Sequence, residues 1–325
     1  MNQPIITRGT IEGFDTVEVN TGPISVTLIP ALGGKISSLY DSRSGREWLW
    51  RHPRMAYRRV PHGSSYVQAA DTGGWDECFP SVSACAYPSP PWAGLPVQDH
   101  GELWSQPATL DVREASDGVA LRTSWQGVVL PYSFERTITA ADRSARLRFE
   151  YSVMNNADAP IHFIWSAHPL MAIEPGMQLL LPPEAHFNCL KFVSNGAPQL
   201  ERGVRFPLTV ETSMGAIDLA TLPDPSAAIA LKLWSDPCDA GWATLRARDG
   251  EFRIDWDPAQ LPQVAAWMNL GAMAFDGGAP YFNFGLEPCI GAQDSLAEAV
   301  TTYNLFEIVP PRGSRAWWLE VELAA

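Results

Sequence analysis

The sequence predicts an all-β fold, a large antiparallel β-sandwich with few short helices. Proline and glycine supply 28 and 25 of the 325 residues and are spread along the whole chain. They leave few windows for a long helix, because an interior proline costs a helix about 3 kcal/mol. Segments in which apolar and polar residues alternate strictly recur from one end to the other, with turn residues between them. These strands do not alternate with helical segments, which favours antiparallel pairing.

The individual elements follow from the same patterns. Alternating segments predict strands at residues 24–28, 146–153, 252–256 and 317–323. The first of them precedes a turn at Gly33 and Gly34, and a further apolar strand segment covers residues 161–173. One short helix is predicted at residues 295–300, with Asp294 as its N-cap.

Composition limits the class of protein. We find no linker, internal repeat or composition shift, so a single domain over residues 1–325 is predicted. The 36 acidic and 23 basic side chains give a net charge of −13, which argues against nucleic-acid binding. No apolar run approaches the roughly 18 residues of a membrane span. The first thirty residues lack a charged start followed by an apolar core, so we expect a cytoplasmic protein.

Cysteine and histidine spacing predicts neither a disulfide framework nor a metal centre. No two cysteines form a Cys-x-x-Cys pair, and the six histidines include no His-Glu-x-x-His. The pattern is typical of reduced, mostly buried thiols in a cytosolic protein. The cysteines are Cys78, Cys85, Cys189, Cys238 and Cys289. We expect no metal and no other cofactor.

Two histidines are candidates for chemistry. His100 lies in a polar loop hinged by Gly101 and followed by Trp104. His168 lies within the apolar strand segment of residues 161–173 and shares a strand face with Ser166. The plainer interpretation of each is a core or rim histidine whose ring is satisfied by a neighbouring carbonyl.

A carboxylate closes an aromatic-rich strand near the C-terminal end. Glu287 shares a face with Asn283, opposite Phe282 and Phe284. Such a position desolvates a carboxylate and suits it to proton transfer. The alternative is a solvated glutamate at a strand end.

Residues 73–80 combine aromatic rings with carboxylates. Trp75 and Phe79 could form a platform for a sugar ring while Asp76 or Glu77 accepts hydrogen bonds from its hydroxyl groups. Thirteen tryptophans suit carbohydrate binding, although tryptophans are also ordinary core residues.

A second charged segment carries six arginines within seventeen residues. They are Arg43, Arg46, Arg51, Arg54, Arg58 and Arg59. The plainer interpretation is a solvated loop with surface ion pairs of little energetic value. The sharper one is a rim that binds a phosphorylated, sulfonated or uronic sugar, because arginine binds such groups in bidentate fashion.

Four motifs in order along the chain resemble the aldose 1-epimerases, the galactose mutarotase superfamily, and together they span nearly the whole chain. They are GGKISSL at 33–39 with GREWLW at 45–50, DHG at 99–101, WSAH at 165–168, and LEP at 286–288 with GAQDSL at 291–296. The resemblance implies the galactose mutarotase-like supersandwich and the interconversion of the α and β anomers of a free aldohexose by acid–base ring opening. It implies Glu287 as the base, His168 as the acid and His100 as a hydrogen-bond donor near the ring oxygen.

The same resemblance implies a small-molecule sugar as the only partner, bound by a monomer or homodimer without a cofactor. We expect a substrate-binding aspartate between His168 and Glu287, for which Asp236 and Asp239 are candidates. The remaining expected contacts are Trp75, Asp76, Glu77, Trp165 and Asn283.

The chain departs from the family where an arginine-containing segment usually precedes the first histidine, because residues 74–77 read Gly-Trp-Asp-Glu here. We therefore expect hydroxyl recognition unlike that of a strict galactose enzyme, and a neutral aldohexose as substrate. Three alternatives stay open: a non-catalytic sugar-binding protein, an epimerase for an anionic sugar, and a glycosidase that pairs Asp76 or Glu77 with Glu287.

Overall fold

The structure is a computed structural model that describes residues 4–116, 118–194, 204–205, 209–212 and 215–325. In these ranges the chain forms two large antiparallel sheets with a few short helices, which confirms the predicted fold class. None of the described helices is long and apolar enough to cross a membrane.

The strands are numbered in chain order. The first half of the chain forms β1 (Ile5–Ile11), β2 (Phe14–Asn20), β3 (Ile24–Ile29), β4 (Lys35–Asp41), β5 (Arg46–Glu47), β6 (Gly74–Cys78), β7 (Cys85–Ala86), β8 (Pro96–Val97), β9 (Thr109–Ala115), β10 (Gly118–Gln126), β11 (Tyr132–Ala141), β12 (Arg146–Asn155) and β13 (Ile161–Phe163). The second half forms β14 (Trp165–Ala172), β15 (Gln178–Leu180), β16 (His186–Ser194), β17 (Val204–Arg205), β18 (Thr209–Thr212), β19 (Gly215–Asp218), β20 (Ile229–Ser235), β21 (Trp242–Ala247), β22 (Gly250–Trp256), β23 (Gln263–Leu270), β24 (Phe282–Ile290), β25 (Glu307–Val309) and β26 (Ser314–Ala324). The helical pieces are α1 (Tyr66–Ala69), a 3₁₀ turn (Pro225–Ala227), α2 (Leu296–Glu298) and a π-helical turn (Ala299–Tyr303).

The larger sheet brings distant parts of the chain together. Its strand order is β1-β2-β3-β4-β6-β14-β24-β23-β20-β16-β17, and β5 pairs with the outer end of β4. The smaller sheet has the order β15-β21-β22-β26-β12-β11-β10-β9. The middle of the larger sheet therefore joins β4 and β6 from the first quarter of the chain to β20, β23 and β24 from the last third.

Burial along the strands follows the alternation in the sequence. In β12 the apolar residues Leu147, Phe149, Tyr151 and Val153 are buried, and the residues between them are exposed or half-buried. Strands β22 and β26 show the same pattern. This is the behaviour of antiparallel sheets with one face in the core and the other toward solvent.

Aromatic rings fill the space between the two sheets. Trp75 of β6 stacks on Phe149 of β12 with ring centroids 4.8 Å apart. Trp165 of β14 lies 4.8 Å from Tyr151 and 5.1 Å from Trp317, both on the smaller sheet. The inner face of the larger sheet is thus occupied by packing, which leaves its outer face for a site.

An ion pair is buried between the sheets as well. Arg136 of β11 donates to Glu77 Oε1 at 3.0 Å and to the Gly34 carbonyl at 2.5 Å, and the Tyr151 hydroxyl donates to the same Glu77 oxygen at 3.1 Å. Burial raises the pKa of Glu77 to about 7 even though Arg136 opposes the rise. Glu77 is therefore a structural carboxylate of the core.

Two predicted boundaries are wrong. The N-cap of α2 is Ser295, whose hydroxyl accepts from the Glu298 amide at 3.4 Å, while the Asp294 carbonyl accepts from the Val82 and Ser83 amides. The predicted strand end at Glu287 is also corrected, since β24 continues to Ile290. The carboxylate thus lies in the interior of a central strand.

Candidate functional site

A row of ionisable side chains crosses the outer face of the larger sheet. Asp76 of β6 pairs directly with His168 of β14. The pairs Ser166–Cys289 and Leu170–Gly285 lie on either side of His168 and share the same register, which places His168 opposite Glu287 of β24. Lys35 on β4 extends the row through its ion pair with Asp76. Period-two alternation puts these side chains on one face although the strands are far apart in sequence.

A cavity of about 220 Å³ lies above this row. The ionisable residues that line it are Asp71, Asp99, His100, His168, Lys232, Glu287 and Asp294, and the aromatic ones are Trp267 and Phe275. The predicted catalytic residues Glu287, His168 and His100 are thus gathered in one cavity.

The two carboxylate oxygens of Glu287 have different surroundings. Oε2 accepts a hydrogen bond from Lys232 Nζ and lies 3.4 Å from the Ser166 hydroxyl. Oε1 is buried and has no hydrogen-bond partner among the described residues. Gly285, two residues earlier on the same face, leaves room there, because a Cβ at that position would lie 2.7 Å from Oε1. Oε1 is therefore the carboxylate oxygen that the described residues leave without a hydrogen bond.

Lys232 reaches Glu287 from β20, two strands away. Ala265 of β23 pairs with Glu287, and its small side chain lets the lysine pass above it. Burial disfavours the charge on Lys232, but attraction by Glu287 and by Asp294, whose Oδ1 is 3.8 Å from Nζ, outweighs it and raises the pKa of the lysine. Lys232 is an ammonium ion in this cavity.

The position of His100 depends on an unusual backbone conformation, which the DHG motif at residues 99–101 permits. It adopts a left-handed conformation with φ of 59°, and its amide donates to the Val82 carbonyl at 2.6 Å. Gly101 follows with φ of 73°, where a Cβ would lie 2.1 Å from the Phe79 carbonyl oxygen, so no other residue fits. The ring Nδ1 is 2.7 Å from Asp99 Oδ1.

The two histidines differ in charge. Burial disfavours protonation of His100, but the hydrogen bond and the negative charge of Asp99 outweigh it and raise its pKa. Burial lowers the pKa of His168 well below its usual value, and the positive charges of His100 and Lys232 add to the effect. The rings contact each other edge to face at 4.9 Å. At neutral pH, His100 is the better proton donor and His168 is neutral.

Asp76 is fixed from two sides beneath His168. Its Oδ2 accepts from Lys35 Nζ and from the Tyr66 hydroxyl, the latter at 2.7 Å. The Tyr66 ring stacks on His100 at 4.2 Å and contacts His168 edge on at 5.6 Å. Tyr66 thus contacts both histidines and is itself hydrogen bonded to Asp76 of the row.

The loop between β23 and β24 supplies an aromatic wall. Phe275 lies 6.4 Å from Trp267 of β23, and both half-buried rings line the cavity. Arg54 holds the loop through a bidentate pair with Asp276, at 2.7 and 2.9 Å. The Tyr281 hydroxyl accepts from the Phe275 amide at 3.1 Å and donates to Asp276 at the same distance. An aromatic wall of this kind suits the apolar face of a sugar ring.

Several residues expected to bind substrate lie elsewhere. Trp75, Glu77 and Trp165 are corrected: their side chains are fully buried between the sheets. The reason is alternation, since Trp75 and Glu77 flank Asp76 on β6 and therefore point to the opposite face. Asp76 belongs to the row on the outer face but does not line the cavity.

The expected aspartate is corrected in the same way. Asp236 hydrogen bonds to Asn188 and lies with Asp239 in a separate surface hollow. Asn283 shares the face of Glu287, but it lies four residues, roughly 13 Å, along the strand and does not line the cavity. The residue that accompanies Glu287 from β20 is the lysine Lys232.

The arginine-rich segment makes ion pairs outside the cavity. Arg43 pairs with Asp41, Arg46 with Asp249 and Glu174, Arg51 with Glu12, and Arg54 with Asp276. No arginine lines the cavity in the described part of the chain. The described residues also hold no cluster of three or more histidine, cysteine or carboxylate side chains that could bind a metal ion.

Comparison with known proteins places the fold. No family model and no curated protein matches the chain. Among solved structures, a galactose mutarotase-like protein from Clostridium acetobutylicum covers 98% of this chain and 98% of its own at 12% identity, with a TM-score of 0.66. This chain has the galactose mutarotase-like fold.

Two further solved structures share this fold and are described provisionally as aldose 1-epimerases. The one from Klebsiella pneumoniae has a TM-score of 0.70 and 14% identity, covering 96% of this chain and 80% of its own. The one from Escherichia coli K12 has a TM-score of 0.62 and 14% identity, covering 98% and 99%. At such identities the galactose mutarotase-like fold is shared, and the activity has to be argued from the site.

Proposed function

We propose that the protein is an aldose 1-epimerase, which interconverts the α and β anomers of a free aldose by opening and closing the pyranose ring. The observation that carries the proposal is the meeting of Glu287 Oε1, His168 and His100 in one cavity. The galactose mutarotase-like fold of the chain supports the same activity.

Ring opening needs one proton removed and one delivered. Glu287 Oε1 takes the proton of the anomeric hydroxyl, and the C1–O5 bond breaks as the C1–O1 bond becomes a carbonyl. Rotation about C1–C2 presents the other carbonyl face to O5. Closure then returns the proton from Glu287 to O1.

His100 is the acid that protonates the ring oxygen, because Asp99 stabilises its imidazolium form. The family resemblance implies His168 as the acid and His100 as the hydrogen-bonding residue, so this proposal exchanges their roles. A neutral His168 is suited to hydrogen bond to the sugar. The ring oxygen gains a proton as C1–O5 breaks and returns it on closure, so no co-reactant is consumed.

The ion pair of Lys232 with Glu287 favours a second candidate, a sugar-binding protein without turnover. Lys232 occupies Oε2, so one of the two carboxylate oxygens is already engaged by the protein and is not free to act as the base. The free Oε1 supports catalysis over that alternative, because only Oε2 is engaged by the lysine.

Polarimetry tests the proposal. Freshly dissolved α-glucose and α-galactose are followed with and without protein, and the release of reducing sugar from oligosaccharides is measured in parallel. Faster relaxation to the anomeric equilibrium is expected. Sugar binding without acceleration would identify the binding protein, and release of reducing ends would identify a glycosidase.

A further inference from the structure

The cations around the cavity are each matched by a carboxylate. Lys35 pairs with Asp76, Lys232 with Glu287, and His100 with Asp99. His168 adds no charge, since its pKa lies well below its usual value.

Two carboxylates are left over, Asp71 and Asp294. Asp71 follows α1, is 7% exposed, and has a buried Oδ1 without a hydrogen-bond partner among the described residues. Asp294 Oδ1 likewise accepts no hydrogen bond from the part of the chain that the structure describes, and it lies 3.8 Å from Lys232, which already pairs with Glu287. Both line the cavity.

We infer that the substrate is a cationic aldose, an amino sugar whose protonated amine pairs with Asp71. This inference rests on the proposed function and names its substrate class. Asp71 is the deeper of the two unmatched carboxylates, and its side chain lines the cavity. A protonated amine supplies hydrogen-bond donors together with the missing positive charge.

Other sugar classes fit the same charges less well. A neutral sugar offers Asp71 a hydrogen bond from a hydroxyl group, but the negative charge of Asp71 stays unmatched once the sugar displaces water. Hydrogen bonds between charged partners are roughly twice as strong as neutral ones. An anionic sugar would lie beside two unmatched carboxylates, and the described residues of the cavity wall include no arginine. The Trp267 ring additionally favours a nearby cation.

A substrate panel tests the inference with the full-length protein. Exchange NMR at pH 6.5 gives kcat/KM for 2-amino-2-deoxyglucose, 2-amino-2-deoxygalactose and 6-amino-6-deoxyglucose, for their neutral parents, for the N-acetylated forms and for glucuronate. At least one amino sugar is expected to exceed its neutral parent about tenfold, and acetylation of its amine should remove the advantage. Equal rates for amino and neutral sugars would overturn the inference while leaving the epimerase intact.

The Asp71→Asn variant tests whether Asp71 is the carboxylate that pairs with the protonated amine. It should reduce the ratio of amino-sugar to neutral-sugar kcat/KM toward one, whereas Asp15→Asn, which removes an exposed charge on β2 away from the cavity, should keep the ratio. Asp294→Asn serves as a second variant, since that side chain is 26% exposed and a fold defect is less expected. A ratio unchanged in both cavity variants would overturn the inference.

Calorimetric binding separates this inference from the proposed function. If the protein accelerates no anomer exchange but binds amino sugars more tightly than their neutral parents, the epimerase proposal fails and the cationic ligand stands. If amino sugars bind no better than neutral ones and are turned over no faster, the cationic ligand is wrong.

Discussion

Glu287 owes its local chemistry to one lysine and one glycine. Lys232 pairs with Oε2 of a fully buried carboxylate, while Gly285 leaves space beside Oε1. A buried carboxylate without a cation favours its protonated form, because the charged form is poorly solvated.

Replacing Lys232 by methionine should therefore slow anomer exchange at pH 7 by at least tenfold, with partial recovery as the pH is raised. The variant should also lose about 3 kcal/mol of unfolding free energy, the usual cost of breaking a buried ion pair. Exchange NMR over a pH series and urea denaturation measure the two effects. Lys232→Arg keeps the charge and is the matched control; a methionine variant as active as wild type at pH 7 would show that the lysine does not support the base.

The protonation of His100 predicts how the activity depends on pH. His100 must be protonated to act as the acid, and its pKa is raised by Asp99, so activity should be present at lower pH and lost as the pH rises through that raised pKa. The groups facing His100 are Asp99, Asp71 and Asp294, with Tyr66 and His168 in ring contact.

Asp99→Asn removes the hydrogen bond and charge that most favour the imidazolium, so the alkaline midpoint of kcat/KM should move to lower pH. A merely structural role for Asp99 would lower the rate at every pH without moving the midpoint. The measurement is the pH profile of anomer exchange for both proteins, with circular dichroism to check the fold.

At the scale of elements, the loop between β23 and β24 positions the aromatic wall. The described backbone from Gly271 to Tyr281 contains no regular strand or helix beyond a bridge at Gly271. Side-chain hydrogen bonds hold it instead: those of Asn269 at its start, and the Arg54–Asp276 pair and the Tyr281 hydroxyl farther along. His52 supports that hydroxyl at 3.0 Å. Arg54 is thus a positioning residue for Phe275.

Arg54→Met should raise KM about three- to tenfold with little change in kcat, because the aromatic wall binds the sugar equally before and during reaction. Steady-state kinetics of Arg54→Met, Phe275→Ala and the double variant measure the effect. The two substitutions should be non-additive if Arg54 acts through Phe275. Arg46→Met, which breaks a surface ion pair elsewhere, is the control, and fully additive effects would contradict the positioning role.

At the scale of the whole molecule, a buried ion pair joins the two sheets. Arg136 and Glu77 are both buried in the aromatic core, where Arg136 donates a hydrogen bond to Glu77 Oε1 at 3.0 Å. Removing one partner leaves an uncompensated charge, whereas replacing both is far milder.

Arg136→Met should therefore cost about 3–5 kcal/mol of unfolding free energy, and adding Glu77→Gln should recover most of that loss. Urea denaturation of the single and double variants measures both values. A double variant no more stable than Arg136→Met alone would show that the arginine contributes packing and not charge pairing.

The sequence predicted the strands well because the alternation of apolar and polar residues is a local property of each segment. The same alternation explains the errors: Trp75 and Glu77 adjoin Asp76 on one strand and had to face the core if Asp76 faces outward. The motifs at His100, His168 and Glu287 identified the residues that meet in the cavity. Lys232 and Asp71 carry no motif, and their part in the site depends on strand order and on a loop, which a single sequence does not reveal.

The most direct test of the proposed chemistry is the rate of anomer exchange in Glu287→Gln, measured by exchange NMR beside calorimetric sugar binding. The amide has nearly the shape of the carboxylate but cannot accept a proton, so the rate should fall by at least about 100-fold while sugar binding persists. Glu251 lies near the start of β22 in the smaller sheet and does not line the cavity. Glu251→Gln is therefore the matched control and should exchange anomers at the wild-type rate. A Glu287→Gln variant that exchanges anomers at close to the wild-type rate would contradict the assignment of Glu287 as the base.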